Sequence, residues 1–154
     1  MGEDLHNLAA ANYPRIAAEL IGPLLDFVRT SREVCRGDLD KAIVMMAIGL
    51  RTTRHRDFAM SSPAELDSGQ LAVLPGFGSF AQAIALSLGM PKETVRRKVS
   101  DMVSAGWLVR RERRLYVTGK AYQDFAASRA QLLRLATTYH QIISEIAAES
   151  KPKA

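Results

Sequence analysis

The sequence predicts a mainly α fold with a single small β-hairpin, and three observations carry that expectation. Apolar residues recur at helical spacing along most of the 154-residue chain. Glycines at 37, 89 and 106 interrupt that spacing where helices should end. Only one stretch, Trp107-Leu-Val followed by Leu115-Tyr-Val across Arg-Arg-Glu-Arg-Arg, has the form of two strands joined by an exposed turn. The length fits one domain, 1–154, large enough to bury roughly 68–70% of its unfolded surface. A composition 47% hydrophobic and 24% charged is that of an ordinary globular protein.

The elements follow in order. Residues 5–58 read as N-terminal helices serving core and dimerisation. Leu5, Leu8, Ile16, Leu20, Leu24 and Val28 mark the first helix over 5–28. Pro14 should open its main part, and Gly22-Pro23 should kink it, because proline lacks the backbone donor. Asp38 is placed to cap a second helix over about 39–57. Its run AIVMMAIGL is apolar all round, so it should be buried on most sides, with Met45 and Met46 as core filler. Its tail, with Arg51, Arg54 and Arg56, reads as a solvated helix end or as a second basic patch.

Ser62-Pro63-Ala64-Glu65 has the form of a capping box and opens a short helix. LDSGQLAVLPGFG should be an irregular connection containing a short strand, and its PGFG lacks the lysine and serine of a phosphate loop. Ser79 with Gln82 forms a second box, opening a helix that Gly89 stops. The next helix spans about 91–105, with Val95, Val99, Met102 and Val103 inward. After the hairpin, Thr118 caps a long C-terminal helix over 119–149. Its heptad seam runs Tyr122, Phe125, Arg129, Leu132, Ala136, Tyr139, Ile143 and Ile146, and its apolar members are expected to dimerise.

Charge narrows the function. The net charge is +5, but residues 91–120 carry nine cations against three anions, a local +6, so the remaining 124 residues carry −1. Concentrated positive charge beside a near-neutral body is the footprint of a polyanion-binding surface. Catalytic and metal-binding classes find no support: His6, His55 and His140 lie far apart, and Cys35 has no partner nearby. No enzyme activity, cofactor or metal is expected. A lone cysteine fits a reducing compartment. The N-terminus has no leader-like pattern, and the longest nearly uncharged run, 42–50, is too short to span a membrane, so a cytoplasmic location is expected.

"IALSLGMPKETVRRKVSDMVSAGWLVRRERRLYVT" resembles the DNA-binding unit of bacterial transcription regulators. Ala85 stands four residues before the turn glycine, Gly89, and Val95 six after it. Lys92-Glu93-Thr94-Val95-Arg96-Arg97 is similar to the R-E-T-V-x-R recognition helix of the catabolite-activator type. The GWL, the basic hairpin and V-T-x-K-A are similar to the strand, wing and final helix of multiple-antibiotic-resistance-type (MarR-type) regulators. Residues 62–118 would then be a winged helix-turn-helix, flanked by N-terminal helices and the long C-terminal helix. The resemblance implies a homodimer on double-stranded DNA. Lys92, Glu93 and Arg97 would read bases, while Thr94 and Arg96 hold phosphates. Arg110, Arg111, Arg113 and Arg114 would reach backbone or minor groove from the wing. Glu93 could instead serve the helix dipole. Two residues depart from the pattern: Pro91 replaces a serine or threonine cap, and Lys98 takes a small apolar position from which it must snorkel unless the helix is rotated.

An alternative is a winged-helix module that docks an acidic protein partner through the same surface. A small-molecule effector seated beside the Met45/Met46 helix is a further option that no residue cluster marks.

Overall fold

The chain begins with an unbroken helix, α1 (Gly2–Val34), that carries both Pro14 and Pro23 inside it. The computed structural model describes residues 1–152. Pro14 therefore does not open a helix; each proline removes one donor, and intact turns on both sides carry the helix through. Arg36 and Gly37 end it with φ of 54° and 90°, Gly37 N–H reaching back to Arg32 O at 2.8 Å. Asp38 then caps α2 (Leu39–Thr53), its carboxylate accepting from Lys41 N–H at 2.9 Å. The single helix expected to residue 57 is two. His55 breaks it, its Nδ1 accepting from Asp57 N–H to cap α3 (Arg56–Met60). The capping box of Ser62 and Glu65 forms as expected at α4 (Pro63–Leu66).

Within Ser31–Ala126, one compact unit, α2 packs against α5 (Ala81–Leu88), α6 (Lys92–Ser104) and the hairpin β1 (Leu108–Arg111)–β2 (Arg114–Val117). Val44 and Ile48 meet Ile84, Ala85, Val95, Val99, Met102, Leu108 and Leu115, all essentially dry. Met45 joins them, whereas Met46 and Leu50 face outward, so α2 is buried on one side rather than all round. Cys35 lies in the same core, and burial pushes its thiol up to about 11, away from a reactive thiolate.

The connection 67–80 is pinned along β2 by Gly119 N–H to Leu71 O, Leu74 N–H to Val117 O, and a two-bond bridge between Ser79 and Leu115. That bridge corrects the expected Ser79–Gln82 box. Phe80 stands at the N-cap of α5 with no side-chain cap, and the buried Ser79 hydroxyl has no hydrogen-bond partner among the described residues. Ser79→Ala should therefore be neutral or stabilise by about 1 kcal/mol, where loss of a true cap costs about 1 kcal/mol. Urea denaturation separates the two signs.

The long C-terminal helix is also interrupted, at Phe125, into α7 (Gly119–Asp124) and α8 (Ala126–Glu149). The cause is the Trp107 neighbourhood. Phe125 meets the indole edge-on at 4.8 Å, and Asp124 accepts from Trp107 Nε1–H at 2.9 Å. Tyr122 and Phe125 thus leave the expected seam and pack on the core of this unit.

The second unit joins residues 1–30 to the chain from 127 onward. Its two helical stretches run antiparallel: Arg15 pairs with Glu149 at 2.7 Å, and Tyr139 Oη donates to Leu20 O at 2.6 Å. Ile16, Ile142 and Ile146 form its buried core, with Leu8, Leu20 and Ile143 alongside. Among the described residues no helix is long and apolar enough to cross a membrane.

Candidate nucleic-acid interface

Two elements carry the basic segment, and local rules explain each. α5 ends in a Schellman motif. Gly89 sits at φ 63°, its N–H bonded to Leu86 O, while Met90 N–H reaches Ala85 O at 3.0 Å. Only glycine occupies that left-handed position without strain. Pro91 follows at the N-cap of α6 with no side-chain cap, and α6 turns Val95, Val99 and Met102 into the core. Lys92, Glu93, Arg96 and Arg97 remain exposed on the outer edge, with Thr94 half-buried.

Lys98 resolves its own anomaly. It bonds to Asp38, the cap of α2, while Lys41 of α2 lies 3.5 Å from Asp101 of α6. Burial pushes the Asp38 carboxyl up, but the Lys98 hydrogen bond, the Lys41 amide and both ammonium charges outweigh it and hold the group below its ordinary value. These crossed pairs fix the rotation of α6 about its axis. They make Lys98 and Asp38 positioning residues for the outer edge. Sequence alone did not join them; the signal was a cation in an apolar ladder, which asks for a carboxylate.

Glu93 is held by Arg96 in a fork, Nε–H to Oε2 at 2.8 Å and Nη2–H to Oε1 at 2.5 Å. Those bonds pull the Glu93 carboxyl below and push the Arg96 guanidinium above their ordinary values. An exposed pair of this kind is worth about 0–1 kcal/mol, so a ligand can open it. Lys92 and Arg97 have no carboxylate partner among the described residues.

The hairpin is built against its own stability. Its register places Arg111 directly opposite Arg114, a like-charge pair that a sheet disfavours. The two-residue turn between them, Glu112-Arg113, takes φ of 49° and 68°. Both values are positive, as a type I′ turn requires and as non-glycine residues resist. Arg110, Arg111, Arg113 and Arg114 are all exposed, and none has a carboxylate partner among the described residues. The strands and turn divide differently from expectation: the arginines at 110, 111 and 114 are strand residues, and the turn has only two.

Of the expected dimerisation residues, Tyr139, Ile143 and Ile146 are partly or wholly buried in the two-helix unit. Leu132 and Ala136 remain exposed. A polar cleft of about 680 Å³ lies within the Ser31–Ala126 unit, lined by Cys35, Arg36, Lys41, Trp107, Lys120 and Asp124 among others, and not by Met45 or Met46. Its Lys41 and Lys120 already face Asp101 and Asp124. Among the described residues no three histidine, cysteine or acidic side chains gather where a metal ion could sit. No protein-family model matches the chain, and neither a curated protein nor a solved structure matches it.

Proposed function

We propose that this protein is a homodimeric, sequence-specific regulator of transcription that binds double-stranded DNA, with residues 62–118 acting as its winged helix-turn-helix. The observation that carries the reading is the hairpin tip. A turn that only had to close two strands would use Asn-Gly at no conformational cost. This one holds two side-chain-bearing residues in the left-handed region and sets two arginines at directly paired strand positions. Strain of that kind persists where a site needs the side chains. Phosphate oxygens would relieve the repulsion and use the open donors.

In this reading the outer edge of α6 enters the major groove. Lys92 and Arg97 donate to guanine O6 and N7, and Glu93, released from Arg96, accepts from cytosine N4. Thr94 and Arg96 hold phosphates, and the wing arginines lie on backbone or minor groove. A second copy joins through the two-helix unit. Ile21, Leu24 and Leu25 of α1 and Leu132 and Leu133 of α8 are 47–63% exposed, more apolar surface than such a small unit should leave in water.

Selection of bound fragments from a genomic pool, followed by sequencing, tests the class: particular fragments should be enriched. Uniform recovery removes sequence specificity, and no recovery favours docking of an acidic protein partner. A turn exchange tests the tip. Glu112→Asn with Arg113→Gly leaves net charge unchanged, and should stabilise the fold by about 1–2 kcal/mol, raising Tm by about 2–8 °C. The same variant should bind its selected duplex more weakly, with a salt slope smaller by about 2, one contact from each copy. Unchanged DNA binding would reduce the tip to a solvated turn.

A further inference from the structure

The cationic surface does not stop at the hairpin. Arg114 of β2 lies over the Phe80 ring, its guanidinium carbon 5.2 Å from the centroid. Beside it runs Gly78, so close that a Cβ there would stand 2.8–2.9 Å from Tyr116 and Arg114 side-chain atoms. Gly78 O accepts from Arg51 Nε–H at 2.7 Å, and the Arg51 guanidinium lies 5.4 Å from the Phe77 centroid. His55 closes the far edge of Phe77 at 4.6 Å, between Arg54 and Arg56. A chain of contacts therefore carries positive charge from the hairpin to the end of α2.

We infer that this surface, Arg114–Phe80–Gly78–Phe77–Arg51 with Arg54 beyond it, is a second contact for the phosphate backbone of duplex DNA. The inference rests on the DNA-binding reading and extends its footprint. Phe77 and Phe80 keep 45% and 43% of their surface exposed instead of joining the core. Each lies under a guanidinium, which leaves fewer open faces for stacking bases, so a single strand fits poorly. What the rings supply is orientation, each holding a guanidinium of an exposed arginine over its face. Arg51, Arg54 and Arg56 have no carboxylate partner among the described residues; the acidic group nearest in sequence, Asp57, lies 3.9 Å from His55. Phosphate is the ligand that suits fixed, unpaired guanidiniums continuous with a basic hairpin.

The test uses the full-length protein and a duplex carrying its selected fragment, extended by one helical turn on each side. Arg54→Ala alters an exposed side chain after the last turn of α2 and leaves the aromatic contacts alone; Arg51→Ala removes one of them. Because a homodimer carries each arginine twice, each should reduce the slope of log affinity against log salt by about 1.8, equivalent to roughly 12-fold less loss between 50 and 200 mM salt. The effect should be equal on selected and scrambled duplexes, and hydroxyl-radical protection should retreat at the outer flank. Unchanged slope and footprint in Arg54→Ala, with an Arg113→Ala control that lowers both, would overturn the inference while sparing the main reading. A loss confined to a single-stranded probe would overturn it too. Failure of the unaltered protein to bind any duplex would remove both together.

Discussion

Raising the salt from 50 to 200 mM weakens binding of the selected duplex by about 10³–10⁵-fold on the DNA-binding reading. That range follows from 6–10 neutralised phosphates, each releasing condensed counterions with a slope near −0.9. The open cations suffice for it. Lys92, Arg97, Arg110, Arg111, Arg113 and Arg114 are exposed and unpaired by carboxylates among the described residues, and a homodimer presents each twice. Arg96 adds to them only when Glu93 lets go, which costs little in water. Fluorescence anisotropy over a chloride series gives the slope directly, expected between about −5 and −9. A slope near zero would mean the arginines never meet phosphate. A steep slope with identical affinity for every sequence would keep the polyanion surface and discard base reading by α6.

Much of this surface was legible because its rules are local. Gly89 announces a left-handed helix end within five residues, and Ser62 with Glu65 announces a helix start within four. Arginines bracketing a short turn read as exposed whatever their neighbours do. What escaped depends on partners distant in sequence. Ser79 looks like a cap, but Leu115, brought beside it by the hairpin, takes both its backbone groups and draws it into the core. Phe125 looks like the continuation of a seam until Trp107 and Asp124 give it a nearer place. The Asp38–Lys98 bond spans 60 positions, and no periodicity encodes it. Nor does any pattern link Arg51 to Phe77 and Gly78, although the three arginines at 51, 54 and 56 were visible as a group. Local sequence thus predicts which side chains are offered to solvent, whereas tertiary pairing decides how rigidly they are held.

Leu25→Glu and Leu133→Glu should each split the proposed homodimer while each chain keeps its helices. The two side chains are 62% and 63% exposed in the single chain, so they give the monomer little. Leucine and glutamate have nearly equal helix propensity, which leaves α1 and α8 intact. In a two-fold interface each position occurs twice. Losing the burial of two leucines at about 1.5–3 kcal/mol each removes about 3–6 kcal/mol, or 10²–10⁴-fold in the dimer constant per substitution. Sedimentation velocity should find the unaltered protein dimeric and the variants monomeric, with superimposable circular dichroism. Affinity for a duplex holding two half-sites should fall on a similar scale, because the second copy's α6 and hairpin are no longer tethered near their site. Affinity for a single half-site should stay constant, since Lys92, Arg97 and the hairpin are untouched. A variant that stays dimeric with both glutamates in place would move the interface to another surface, and an unaltered protein that sediments as a monomer would leave these exposed leucines without a partner.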